Sequence, residues 1–133
     1  MNKIFVAVLV VVLLLVGISK FRSRHSQGSG GARYSRITAS EAEALMEGED
    51  VVIVDVRTAA EFSAGHIPRA INIPVESISS VPPASLDDRD ATILVYCRSG
   101  SRSAQAARRL LRLGYTTVHD FGGINSWPGQ LVR

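Results

Sequence analysis

The chain has 133 residues, 46% hydrophobic and 20% charged, which suits one domain with a core and excludes a disordered, collagenous or disulfide-stapled protein. Its formal charge of +3 points to nucleic acid only until it is divided along the chain. Residues 1–36 carry Lys3, Lys20, Arg22, Arg24, Arg33 and Arg36 with no acid, whereas the rest sets nine arginines against twelve carboxylates, so no nucleic-acid partner is expected.

Ile4 to Ile18 is an apolar run of fifteen residues. As a helix it would reach about 22 Å, short of a bilayer core of about 30 Å, and Lys3 and Lys20 would extend it by snorkelling. Two readings compete, an uncleaved single-pass anchor over residues 1–20 and a signal peptide cut near Gly17 and Ser19. Lys20, Arg22 and Arg24 follow the run at once, and a basic flank on that side opposes export. The expectation is a membrane anchor with the following domain on the cytoplasmic face; export after signal cleavage is the alternative. Residues 21–36 read as a basic, Gly/Ser-rich linker, and residues 37–133 as the folded domain.

From Ile37 the pattern alternates helix and strand. Thr38-Ala39-Ser40-Glu41 is a capping-box start for a short helix carrying Ala42, Leu45 and Met46 and ending at Gly48. Val51 to Val56 is a β-branched run of strand length, and Thr58-Ala59-Ala60-Glu61 opens a second short helix that Gly65 stops. Ala70 to Ile73 reads as a brief strand. The loop between Val81 and Asp90 has room for another short helix. Ala91 to Cys97 is a second strong strand. Ser103 to Leu113 is the clearest helix, with Ala104, Ala107, Leu110 and Leu111 at helical spacing and Gly114 as its stop. Thr116-Thr117-Val118 makes a last short strand before Phe121-Gly122-Gly123-Ile124 and Trp127. The alternation predicts an α/β fold: a mostly parallel sheet with helices on both faces.

The chemistry concentrates at Cys97-Arg98-Ser99-Gly100-Ser101-Arg102-Ser103, between the end of a buried strand and the start of a helix. Ligands bind at the carboxyl ends of strands in such sheets. A loop there turns several backbone N–H groups toward one point, and with the helix N-terminus and two guanidiniums it forms an anion pocket that favours a thiolate at Cys97. Gly100 supplies the positive φ so tight a loop needs. A lone buried cysteine is more often inert, and arginines before a helix are usually solvated. Two arginines against the helix dipole around one thiol are hard to explain unless an anion sits there too. The loop is therefore read as a site, with Cys97 as nucleophile.

With these motifs in place, Ile37 to Arg133 resembles a single-domain rhodanese, a sulfurtransferase. The resemblance is carried by Asp55-Val56-Arg57, Glu61-Phe62, Gly65-His66-Ile67-Pro68, Ala70-Ile71-Asn72-Ile73-Pro74, the Cys97 to Arg102 loop, and Gly122-Gly123-Ile124 with Trp127. Arg69 stands where many relatives have glycine, at a surface turn expected to tolerate it. The resemblance implies a rhodanese-like fold and a two-step transfer. Cys97 takes a sulfur from thiosulfate or another anionic persulfide-type donor, and a thiol or protein acceptor then removes it. Arg98 and Arg102 would hold the donor, and the backbone of Arg98, Ser99, Gly100, Ser101 and Arg102 would stabilise the persulfide. Asp55 and Arg57 are placed near the loop, where an orienting salt bridge is the favoured role. No metal or organic cofactor is implied, and His66 and His119 lack the paired spacing of a metal site.

Two other classes compete with the transferase. A cysteine-dependent phosphatase or arsenate reductase needs a longer loop than the four residues between Cys97 and Arg102. A non-catalytic module or persulfide carrier would keep the fold, but such modules often lack the nucleophile or the basic loop, and this chain has both.

Overall fold

The computed structural model describes residues 31–133, and Gly31 to Arg133 form one unit. The anchor and signal readings of residues 1–20 lie outside the described residues. Among the described residues no helix is long and apolar enough to cross a membrane.

The strands are β1 (Arg33–Arg36), β2 (Val51–Asp55), β3 (Ile71–Asn72), β4 (Thr92–Cys97) and β5 (Thr117–Gly123), and the helices are α1 (Ala39–Gly48), α2 (Ala59–Ala64) and α3 (Ser101–Arg112). Single 3-10 turns occupy Val75–Ser77 and Ile124–Ser126. The sheet runs β1-β5-β4-β2-β3 with every pairing parallel. The sheet expected from sequence is therefore present, and it is parallel throughout.

The period-two alternation of a strand sorts residues between the two faces. Val54, Val56, Ile93, Val95, Cys97 and Val118 pack with Ala106, Ala107 and Leu110 of α3. Ile53, Leu94, Tyr96 and Phe121 pack on the other face with Ala42, Leu45 and Met46 of α1 and Phe62 of α2. Both faces are covered, which explains why β2 and β4 read as unbroken apolar runs. Leu110 is wholly buried at the centre of the α3 face, where truncation to alanine would cost about 2–5 kcal/mol.

Both expected capping boxes form. The Thr38 hydroxyl accepts from the Glu41 N–H while Glu41 accepts from the Thr38 N–H, and Thr58 and Glu61 repeat the arrangement at α2. Four local expectations are corrected. Arg33–Arg36, assigned to the linker, form β1, because their backbone groups pair with Thr117 to Asp120 on the open edge of β5. The last strand continues to Gly123 rather than stopping at Val118, since β4 and β1 flank it on both sides. The segment from Ser79 to Ala91 holds no helix; its prolines and aspartates form turns. Helix α3 begins at Ser101, two residues before the expected start.

One irregularity shapes the sheet's carboxyl end. Val95 pairs with Asp120 but Cys97 pairs with Gly123, so β5 carries one extra residue. This bulge includes Gly122, whose φ of +84° is the left-handed region glycine favours. Gly123 is constrained differently. A Cβ there would fall 2.2 Å from the Arg98 carbonyl oxygen and 2.7 Å from the Ser99 Cα. The Gly-Gly pair lets β5 lie directly against the Cys97 loop.

Candidate active site

Cys97 is the last residue of β4 and only 1% exposed. The chain then turns through Arg98, Ser99 and Gly100 into α3, with Gly100 at φ +111° as the N-cap. Without a side-chain cap, the first turn's backbone donors face the loop interior. The Gly100 N–H donates to the Cys97 Sγ at 3.0 Å, and the Ser103 Oγ lies 3.7 Å from the same sulfur. Burial pushes the thiol up. The N–H and hydroxyl of Ser103, with the N–H groups of Gly100 and Ser99, outweigh it and hold Cys97 below the ordinary thiol value.

Behind the sulfur lies a polar pair unforeseen in the sequence. Ser103 and Asp120 are both fully buried, and the Ser103 Oγ lies 2.7 Å from the Asp120 Oδ1. The Gly122 N–H donates to the same carboxylate oxygen at 2.9 Å, and the Tyr34 hydroxyl lies 3.5 Å from Oδ2. Nothing in the sequence singles out Asp120 except its place in the run leading to Gly122-Gly123.

The two loop arginines differ. Arg98 is exposed and forms no ion pair among the described residues. Arg102 is not free to face a ligand alone: it forks onto Glu61, with Nη1 at 2.7 Å from Oε2 and Nη2 at 2.9 Å from Oε1. This contact raises Arg102, and with the Thr58 cap it draws Glu61 down to about 2. A third cation lies by the loop. Arg36, at the end of β1, brings Nη2 to 3.1 Å from the point a Cβ on Gly100 would occupy. Sequence reading left it in the linker, because edge pairing by β1 has no local signature.

Ser99 and Ser101 are exposed on the loop. Asp55 and Arg57 form a buried ion pair at the end of β2, with Arg57 Nη2 at 2.6 Å from Asp55 Oδ2. Arg57 also donates to the Gly65 carbonyl at 2.7 Å, and Asn72 Nδ2 donates to the carbonyls of Asp55 and Arg57. Asp55 is pinned by Arg57 and Arg57 by α2's end, so the pair's geometry is that of an internal brace. His66 stacks on Phe62 with its Nδ1 at 3.0 Å from the Phe62 carbonyl oxygen.

The comparisons with known proteins agree with this geometry. Residues 38–130 match the Rhodanese-like domain family. A sulfurtransferase of Allochromatium vinosum is 42% identical over 89 residues, covering 66% of this chain and 81% of that protein. A thiosulfate sulfurtransferase of Escherichia coli is 35% identical over 71 residues, covering 53% of this chain and 68% of its own length. The crystal structure of a rhodanese-related protein from Thermoplasma volcanium matches with a TM-score of 0.64 at 31% identity, covering 74% of this chain and 98% of that one. With a cysteine at the end of a central parallel strand, a tight loop of N–H donors above it and sulfurtransferases among its relatives, this chain belongs to the Rhodanese-like domain family.

Proposed function

We propose that the protein is a sulfurtransferase that carries sulfur as a persulfide on Cys97, with thiosulfate or a persulfide as donor. The observation that carries this reading is the seat of the Cys97 Sγ, which accepts the Gly100 N–H at 3.0 Å inside a loop that stabilises the thiolate. The thiolate attacks the outer sulfur of the donor. A bond forms from Sγ to that sulfur, the sulfur–sulfur bond of thiosulfate breaks, and its electron pair leaves with sulfite. Negative charge then rests on the outer persulfide sulfur, within reach of the same N–H donors and the N-terminus of α3. In the second half a thiol or protein acceptor attacks that sulfur and the pair returns to Sγ.

The donor anion meets cations unevenly. Among the described residues Arg98 and Arg36 have no ion-pair partner, whereas Arg102 shares its charge with Glu61. The chain holds one cysteine, so the persulfide is discharged to another molecule rather than resolved as an internal disulfide. The apolar run from Ile4 to Ile18 and its basic flank support the further proposal that residues 1–20 anchor the domain at the cytoplasmic face of a membrane.

The test is mass spectrometry of the full chain after brief exposure to thiosulfate, to a small-molecule persulfide and to a protein persulfide. Gain of one sulfur at Cys97, removed by cyanide as thiocyanate and absent from Cys97→Ser, is the expected result. Failure to gain sulfur from all three donors would overturn the transferase reading.

A further inference from the structure

The three arginines by the Cys97 loop are not equivalent. Arg36 and Arg98 are exposed and have no ion-pair partner among the described residues. Arg102, in the first turn of α3, closes its fork on Glu61 at 2.7 and 2.9 Å. Its guanidinium also lies close enough to feel the charges of Cys97 and of Glu76, which is exposed on the turn Val75–Ser77. We propose that Glu61 sets the charge selectivity of the Cys97 site. By neutralising Arg102 it weakens the hold on divalent oxyanions, and so favours persulfides, whose sulfane group carries at most one negative charge, over thiosulfate, which carries two.

The hydrogen bonds of Glu61 separate this duty from its place in the α2 cap. The Thr58 N–H and hydroxyl both donate to Oε2, at 2.9 and 3.1 Å, and these bonds complete the capping box. Oε1 takes no part in the cap: among the described residues it accepts from Arg102 Nη2 alone. The cap therefore holds the carboxylate still while its second oxygen completes a bidentate grip on Arg102.

The need for such a partner follows from the rest of the site. The loop N–H groups and the amino end of α3 already attract anions, and Arg36 and Arg98 add charge beside them. A third unpaired cation would make the site a trap for any divalent oxyanion, sulfate and phosphate included. With Glu61 in place, an arriving anion meets the Arg102–Glu61 pair as a weak dipole rather than as a full positive charge. The energy of that difference scales with the charge on the ligand. Releasing Arg102 at this solvated position would thus strengthen binding about fivefold for a dianion and about twofold for a monoanion, and leave an uncharged ligand unaffected.

The inference deepens the proposed function and rests on it for the identity of the arriving anion as a sulfur donor, but its test uses unreactive anions and no sulfur transfer. The full chain has one cysteine, so alkylation by uncharged iodoacetamide reports on Cys97 alone. Sulfate, methanesulfonate and dimethyl sulfone share a tetrahedral sulfur and carry two, one and no charges. Each is titrated at fixed ionic strength, and its apparent Kd is the concentration that halves the alkylation rate of the same variant. In Glu61→Gln the Kd for sulfate should fall about fivefold and that for methanesulfonate about twofold, with the protection by dimethyl sulfone unchanged. A carboxylate that served only the α2 cap would leave all three unchanged and overturn the inference, as would equal shifts for sulfate and methanesulfonate. The double variant Glu61→Gln/Arg102→Gln removes both charges and covers the case in which the single variant folds poorly. Its Kd for sulfate should return to within about twofold of the unmutated chain. A much weaker affinity there would mean that Arg102 holds the anion despite Glu61, which also overturns the inference. Failure of Cys97 to gain sulfur would count against the transferase and leave these constants untouched, and absence of the charge effect would leave sulfur loading standing.

Discussion

Arg102 grips both carboxylate oxygens of Glu61, at 2.7 and 2.9 Å, and the same carboxylate closes the capping box of α2. One anion therefore ties the first turn of α2 to the active-site loop across forty-one positions of sequence.

The Glu61 carboxyl is lowered from 4.5 to about 2, chiefly by its hydrogen bond to Arg102. A depressed carboxylate contributes stability that is fully present above its unfolded value and is lost as pH falls through the folded one. With both side chains 30% exposed, solvent screening holds the contribution to about 1 kcal/mol. Glu61→Gln is expected to be less stable than the unmutated chain by about that amount near neutrality, with the difference vanishing between about pH 4.5 and 2. Urea denaturation at several pH values measures this, and a constant difference down to the acid limit would refute it.

Arg36 supplies charge beside the loop without an ion-pair partner among the described residues. Reversing it in Arg36→Glu places a carboxylate where a donor anion arrives, a change of roughly 1 kcal/mol per charge at a solvated site. The reversal changes two charges, so KM for thiosulfate should rise roughly thirtyfold with little change in kcat, and added salt should shrink the difference. Steady-state kinetics at two ionic strengths check both parts. An unchanged KM would remove Arg36 from donor binding.

Gly123 has no room for a methyl group, because the obstacle is the Arg98 and Ser99 backbone rather than a movable side chain. Gly123→Ala is expected to destabilise the fold by about 3 kcal/mol and to displace the Cys97 loop. A fall in Tm of roughly 10 °C or more would register the strain. A variant with unchanged Tm and sulfur loading would show that the two segments separate easily.

Arg69 adopts φ +67°, which explains why glycine suits this turn, and its guanidinium donates to the exposed Met46 carbonyl at 2.9 Å. A left-handed conformation costs a non-glycine residue about 1–2 kcal/mol, more than an exposed hydrogen bond returns. Arg69→Gly should therefore raise stability by roughly 0.5–1 kcal/mol, read as a higher urea midpoint at unchanged slope. A lower midpoint would mean that the Met46 contact dominates.

What could be read from the sequence was whatever depends on neighbours along the chain. Thr38 with Glu41 and Thr58 with Glu61 announce helix starts because a cap and its partner lie three residues apart. The apolar runs of β2 and β4 announce strands buried on both faces. Cys97 and its loop stood out because nucleophile, glycine and arginines are contiguous. The features that escaped depend on distant pairing. Arg33–Arg36 have no apolar pattern and become a strand only beside β5, and Arg36 reaches the loop only through that pairing. Asp120 meets Ser103 across seventeen positions, and Glu61 captures Arg102 across forty-one. A charge count around Cys97 saw two free arginines, where the fold leaves Arg98 open and gives Arg102 a partner.

The extra residue in β5 also divides labour within the site. The cradle around the sulfur is made from main chain and from two buried side chains, Ser103 and Asp120, while the side chains of Arg98, Ser99 and Ser101 are exposed on the loop. Exchanging those three residues alters what approaches the sulfur without repacking what holds it. Under the proposed function, the choice of sulfur donors and acceptors can thus drift over evolutionary time at three outward positions while the setting of the Cys97 sulfur stays constant.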